Sequence, residues 1–188
     1  DPLYPEPEEI SPTSTAQAEA PLVPLFPEDP ILGDKKAPLT VIVFEDFGCA
    51  GCKVQDELFT QLLSIHPTSL KVVWKSLPVT RFPQNTRLAS HYGFCANAQG
   101  KFIEFKSLAF ANSENLSAAT LKLLVADIPL DNEKLEECLA SPATENYFVT
   151  MEQLARFLNI QSVPAVFVDN RQVNAPQTVE SWEMLLGL

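Results

Sequence analysis

The sequence predicts an α/β fold: strand, helix, strand, then a block of helices, then two strands and a last helix. Three observations predict it. Two apolar runs rich in β-branched residues, Val41-Ile-Val-Phe44 and Leu70-Lys-Val-Val-Trp-Lys75, have the character of strands buried in a sheet. Between about Asn85 and Leu158 apolar residues recur at three- and four-residue spacing. A short strand pattern then returns at Ala165-Val-Phe-Val168, followed by the turn residues Asp169 and Asn170 and by Gln172-Val173.

The elements follow in order. From Asp1 to about Pro30 the chain reads as a Pro-rich acidic linker. Its acids (Asp1, Glu6, Glu8, Glu9, Glu19, Glu28, Asp29) have no basic partner among them. Such a stretch buries too little apolar surface to offset its ordering, so a disordered, extended tether or solubilising tail is expected, with Leu22 to Phe26 able to dock on the domain. The folded domain is expected over residues 31–188. Its first core strand runs into Glu45, Asp46, Phe47 and Gly48 and then Cys49-Ala-Gly-Cys52. After the cysteines, Val54, Leu58, Phe59, Leu62 and Leu63 lie at helical spacing, so a helix is expected with Cys49 in its first turn. The Leu70 strand ends at Leu77 and Pro78. Five helices are expected over about Asn85–Ala98, Lys101–Asn112, Ala118–Asp127, Asn132–Leu139 and Thr144–Leu158, separated by Gly100, Asn112-Ser113, Pro129 and Pro142. The last helix covers Val179–Leu186, with Trp182, Leu185 and Leu186 inward and Gly187 as its stop.

The totals exclude some functions. A net charge of −11 argues against nucleic acid and against anionic lipid as partners. No apolar run is long enough to span a bilayer. Four cysteines in 188 residues suggest an oxidising compartment. A start at Asp1 is consistent with removal of an upstream signal or anchor.

The chemistry concentrates at Cys-Ala-Gly-Cys. The first backbone N–H groups of a helix lack internal acceptors and carry partial positive charge, which favours a thiolate at Cys49. Cys52 lies one turn on, within reach of that sulfur. Zinc would usually require a second close pair, whereas Cys95 and Cys138 stand apart and His66 and His91 form no ligand pair. A redox dithiol is the reading, with no cofactor and no metal. Lys53 would lower the Cys49 pKa, while Glu45 and Asp46 would raise it. Gly51 costs the helix about 1 kcal/mol relative to Ala and gives its first turn room to adjust. His66 and His91 read as structural. Phe47 is either core or part of a peptide groove.

Five segments in order resemble the DsbA-like thiol-disulfide oxidoreductases, thioredoxin-fold proteins with an inserted helical domain. They are Ala37-Pro-Leu-Thr40, Phe44-Glu-Asp-Phe-Gly-Cys-Ala-Gly-Cys52, Phe94-Cys-Ala-Asn-Ala-Gln-Gly-Lys-Phe102, Leu135-Glu-Glu-Cys-Leu139 and Ser162-Val-Pro-Ala-Val-Phe-Val168. The resemblance covers roughly Pro30 to Leu188 and implies a helical insertion over about residues 84–158. It implies a nucleophile at Cys49, a resolving thiol at Cys52 and a cis Val163–Pro164 bond that offers the Val163 backbone to a substrate peptide. For Cys95 and Cys138 the residues alone allow two buried free thiols; the resemblance implies a structural disulfide. Two departures stand out. The family's buried acid, six residues before the first cysteine, is Val43 here. Glu45 and Asp46 follow, but a change of strand face leaves the proton acceptor for Cys52 unassigned. The dipeptide Ala50-Gly51 has neither the histidine of strong oxidants nor the proline of thioredoxins.

The function so implied is oxidation of cysteine pairs in exported proteins by an extracytoplasmic monomer, served by a membrane redox partner. The alternatives are a reductase or isomerase of the same fold and a copper(I) carrier using Cys49 and Cys52.

Overall fold

The structure, a computed structural model, describes residues 21–188. Five strands form one sheet in the order β1-β3-β2-β4-β5: Ile31–Gly33, Leu39–Glu45, Leu70–Ser76, Ala165–Val168 and Arg171–Val173 for β1 to β5. β2 and β3 pair in parallel, with Val43 beside Trp74, and every other pair is antiparallel. The helix Ala50–Ile65 (α1) makes the crossover between the parallel strands. The insertion is five helices, Arg87–Ala98 (α2), Phe102–Ala111 (α3), Ala118–Ala126 (α4), Asn132–Ala140 (α5) and Pro142–Phe157 (α6), and Val179–Leu186 (α7) closes the chain.

Alternation along the strands divides the core in two. Val41, Val43, Val72, Trp74 and Val166 face α1, α7 and the insertion, where Phe59 and Trp182 meet at a ring separation of 5.1 Å. Ile42, Phe44, Val73 and Phe167 face α6, whose Tyr147, Phe148, Met151 and Leu154 fill the other side. Phe47, just past β2, is wholly buried against Trp74, Phe105 and Phe110. It is core, and it ties the redox turn to the insertion.

Cys95 in α2 and Cys138 in α5 are joined by a disulfide, with their α-carbons 5.7 Å apart. The bond closes a loop of 43 residues, which in the chain-entropy picture is worth about 4 kcal/mol.

Three sequence expectations need correction. The strand β1 is absent from the predicted order; with three residues it is too short to show a period. Leu185, expected inward, is 42% exposed, because α7 buries only its Trp182 side. The stretch expected as linker to Pro30 packs on the domain from Val23, within the Leu22 to Phe26 segment read as able to dock, and continues through Asp29, while residues 1–20 lie outside the described residues. Val23 is buried and its N–H donates to the Asn170 side chain at 3.1 Å. Asp29 is buried, accepting from Lys75 Nζ at 2.5 Å and from the Tyr147 hydroxyl at 2.8 Å. Phe26 covers the same ammonium, 4.6 Å from its ring centre. Acidic, Pro-rich composition gave no sign that Asp29 fastens this strap by neutralising a sheet lysine.

Burial pulls the Lys75 pKa down against the opposing bond from Asp29. Removing one member of a buried pair strands the other charge. Asp29→Ala is therefore expected to destabilise the fold by about 3–5 kcal/mol, read from urea unfolding midpoints. Adding Lys75→Met should recover most of that loss; failure to recover it would mean the ion pair is not what fastens the strap.

Candidate active site

The redox turn is built by the end of β2. Asp46 is fully buried, and its carboxylate accepts the N–H of Gly48 at 3.0 Å, of Val79 at 2.9 Å and of Thr80 at 2.7 Å. Its carbonyl accepts the N–H of Cys49 at 3.1 Å. The strand is thereby stopped and the chain turned into α1. Gly48 is needed there by space: a Cβ would lie 2.7 Å from the Thr86 methyl and 3.0 Å from the Thr80 side chain.

Cys49 is the N-cap of α1 rather than part of its first turn. Its sulfur accepts the Cys52 N–H at 3.1 Å, taking the role a serine or aspartate oxygen usually fills. Cys49 is half-buried and Cys52 has no exposed surface; both are free thiols. The Cys52 side chain, its backbone N–H and the N–H of Gly51 hydrogen-bond the Cys49 sulfur. They bring its pKa down to about 7 against partial burial and the Asp46 charge. Hydrogen bonds at the helix start, rather than Lys53, do the lowering. Burial pushes the Cys52 thiol far up, helped by its bond to Cys49 and by the nearby Glu45 charge. The two sulfurs differ in opposite directions from an ordinary thiol.

The Val163–Pro164 bond is cis, and the Val163 carbonyl lies 3.6 Å from the Cys49 sulfur. A Cβ on Gly51 would stand 3.3 Å from Pro164 Cδ, so the bare glycine lets the proline loop come close. The structure thus brings together Cys49, Cys52, Val163 and Pro164. Cys95 and Cys138 lie apart, in the insertion. His66 caps the C-terminal end of α1 and meets Glu183 at 2.7 Å, and His91 stacks on Phe148.

Beneath Cys52 lies a charge cluster that sequence reasoning missed. Glu45 is two residues past Val43, so the alternation of β2 keeps it on the same inward face and does not turn it outward. Its side chain is wholly buried, with neither oxygen hydrogen-bonded among the described residues. Burial raises its pKa well above the carboxylate range, reinforced by Asp56 and Cys49 and opposed by Lys106. Asp56 on α1 and Lys106 on α3 form a buried pair at 2.5 Å. Burial raises the Asp56 pKa in spite of that partner. The signals were present. Glu45 shares the parity of Val41 and Val43, Asp56 is one helical turn past Cys52, and Lys106 falls on the Phe102, Phe105, Ala109 stripe.

Fold and site define a thioredoxin-fold protein with a Cys-x-x-Cys at the start of its first helix. A family model described as Thioredoxin matches residues 26–187, and the chain belongs to that family. Its fold is similar to that of the thiol-disulfide exchange protein α-DsbA2 from Wolbachia pipientis. That comparison has a TM-score of 0.74 and 15% identity, covering 85% of this chain and 86% of that one. A thioredoxin-like oxidoreductase from Silicibacter pomeroyi DSS-3 superimposes with a TM-score of 0.72 at 19% identity, over 86% and 92% of the two chains. Oxidised BdbD from Bacillus subtilis gives 0.67 at 19% identity, over 85% and 91%. Among curated proteins, the chain is 28% identical over 161 residues to the Na(+)/H(+) antiporter NhaA 3 of Salinispora tropica, covering 85% of this chain and 24% of that protein. The chain spans about a quarter of the length of the curated relatives it matches.

A thiol with a pKa of about 7 is half ionised at neutrality. Alkylation of the reduced protein by iodoacetamide is expected at Cys49, with a rate that rises through a midpoint near pH 7 and is flat by pH 9. Cys52 should stay unmodified over that range. A midpoint at the ordinary thiol value, near ~8.5, would remove the stabilised thiolate.

Proposed function

We propose that this protein exchanges dithiols and disulfides with cysteine-containing exported proteins through Cys49 and Cys52. The observation that carries the reading is the contrast between the two thiols, one half-exposed with a pKa near 7 and one buried with its pKa pushed far up. The exposed sulfur is the one a partner meets. In the oxidising direction a substrate thiolate attacks Cys49 of the Cys49–Cys52 disulfide, a bond forms to the substrate sulfur, and Cys52 is released and protonated. A second substrate thiolate then displaces Cys49, which leaves as the stabilised thiolate. In reverse, Cys49 attacks a substrate disulfide and Cys52 resolves the adduct. It is held within reach, where a free thiol must diffuse in. The Val163 backbone, presented beside Cys49 by Pro164, is the surface a substrate strand pairs with.

Glu45 is the proton acceptor for Cys52 in this scheme. A buried carboxyl with a raised pKa holds a proton more firmly than an ordinary carboxylate and can exchange it with a neighbouring thiol. Of the Lys106–Asp56 pair, Asp56 reinforces that rise and Lys106 opposes it.

Oxidation of cysteine pairs is the first direction we assign, in an extracytoplasmic compartment that also sustains the Cys95–Cys138 bond. A monomer recharged by a membrane redox partner fits that placement. One observation favours the reductase or isomerase reading instead. Reactive cysteines in such sites span about 3.5 to 7.5, and strong oxidants are those whose reduced form is most stabilised. Cys49 at about 7 sits at the weaker end. The equilibrium potential against glutathione separates the two readings: a value near about −120 mV supports the oxidant and one near about −270 mV the reductase. Transport is not carried over from the antiporters, since no helix among the described residues is long and apolar enough to cross a membrane.

Two variants test the roles. Cys52→Ala should accumulate mixed disulfides with exported proteins on non-reducing gels, and Cys49→Ala should abolish both adducts and exchange. Adducts on Cys49→Ala alone would reverse the order of attack. Glu45→Gln should slow resolution of a preformed Cys49 adduct by about 10²-fold at neutral pH, with far less effect on the first attack. Equal effects on both steps would make Glu45 a packing residue.

A further inference from the structure

The loop between β3 and α2, residues 77–86, lies against the redox turn and carries an uncovered aromatic side chain. Phe82 is 87% exposed and Val79 49%. Single exposed apolar residues are ordinary, so exposure alone carries nothing. The mounting is what distinguishes Phe82. At the base of the loop, Leu77 N–H donates to the Glu45 carbonyl at 2.9 Å, and Val79 and Thr80 donate to the Asp46 carboxylate. Thr86 N–H closes onto the Thr80 carbonyl at 3.3 Å. On the far side the Gln84 amide donates to the Ser113 carbonyl at 2.8 Å and accepts the Leu116 N–H at 2.5 Å. Arg81 donates to the Pro78 carbonyl at 2.5 Å. The loop is held on both sides, with Phe82 between its anchors.

Its distance from the chemistry is bounded by contacts. Gly48, adjacent to Cys49, leaves no room for a Cβ because Thr80 is 3.0 Å away, and Phe82 is two residues beyond Thr80. The α-carbons of Cys49 and Phe82 are thus separated by at most roughly 17 Å, the reach of about five extended residues. Beside the loop, a cleft of about 430 Å³ opens between Lys53 and the turn at residues 111–115, the turn Gln84 grips. The bond that brings a partner sulfur to Cys49 therefore brings its flanking residues within reach of Phe82. An aromatic with two side-chain torsions on a pinned loop loses little freedom on contact, the property of binding anchors.

We infer that Phe82 is a docking anchor for the extended polypeptide that Cys49 engages, taking an aromatic or leucine-like side chain within about five residues of the reacting cysteine. The inference rests on the exchange reading of Cys49 and Cys52 and adds to it a preference among cysteines.

The test uses the full chain carrying Cys52→Ala and short peptides with one cysteine capped by thionitrobenzoate. Cys49 thiolate attacks the peptide sulfur, the Cys49–peptide disulfide forms, the bond to the cap breaks, and coloured thionitrobenzoate leaves with the electron pair. Phenylalanine or serine is placed at successive positions on either side of the cysteine. The Phe82-bearing protein should favour phenylalanine over serine by about tenfold at one or more positions. Phe82→Ser should bring that ratio close to one, and Phe82→Leu should restore most of it. Capped free cysteine reports on Cys49 itself in every protein. A ratio unchanged by Phe82→Ser, or no preference at the outset, overturns the inference. So does a dimer dissolved by Phe82→Ser with peptide rates unchanged, which would assign the side chain to a second copy. Failure of Cys49 to react even with capped free cysteine would instead bring down the exchange reading, and the anchor with it.

Discussion

One buried carboxylate sets the geometry on which the site depends. Asp46 gathers three backbone N–H groups from two separate segments, the redox turn and the β3–α2 loop. Bonds from N–H groups to a charged acceptor are among the stronger ones in a protein interior. Without them β2 would have no fixed exit, Cys49 would not fall at the N-cap position, and the loop that carries Phe82 would have no base. The clamp also has an electrostatic cost, because its negative charge raises the Cys49 pKa. The bonds from Cys52 and Gly51 at the start of α1 outweigh it, and the net value stops near 7. The acid that builds the site thus also limits how stabilised its thiolate becomes.

The cluster under Cys52 shows why the insertion cannot be separated from the redox unit. Glu45 comes from the strand, Asp56 from the first helix and Lys106 from the insertion. Burying three ionisable groups is expensive unless they neutralise one another, and here two form a pair while the third rests without a hydrogen bond. Lys106 lowers the pKa of both acids, so a helix far away in sequence sets the proton affinity beneath Cys52. Phe47 adds an apolar tie at the same junction, packed on rings from β3 and α3.

The sequence made the helices legible because apolar residues at three- and four-residue spacing, bounded by Gly and Pro, leave little choice. The ends of α2 to α6 fall within about two residues of where the spacing puts them. The start of α6 moves from Thr144 back to Pro142, since Pro fits the first helical position and Ser141 caps it. The Cys-x-x-Cys and the Val163–Pro164 loop were legible as motifs. What stayed hidden was set by tertiary context. The three residues of β1 have no period to read. Composition hid the strap, because Asp29 acts through one lysine 46 positions away. Buried polar residues on apolar faces, Gln55, Asp56 and Lys106, look like solvent-facing positions until their partners are known. Gln55 bridges the Pro176 carbonyl and the Trp182 indole N–H, at 2.7 and 3.0 Å.

The position of this acid bears on how the site departs from the family pattern that the sequence resembles. Moving a carboxyl two residues along a strand keeps its face but shifts it by about 6.6 Å toward the strand's end. At Val43 the position is filled by a methyl-bearing side chain in an apolar layer; at Glu45 the carboxyl lies level with the redox turn. There its charge raises the Cys52 pKa, and the Cys49 charge raises its own. The charges are coupled: a Cys49 thiolate raises the proton affinity of Glu45 and of Cys52, and an ionised Glu45 raises that of Cys52. The site therefore holds its protons collectively, and the thiolate at Cys49 is easiest to form while Glu45 is neutral. Burial raises the Glu45 pKa and no hydrogen bond among the described residues opposes it, which favours a neutral carboxyl beside the thiolate.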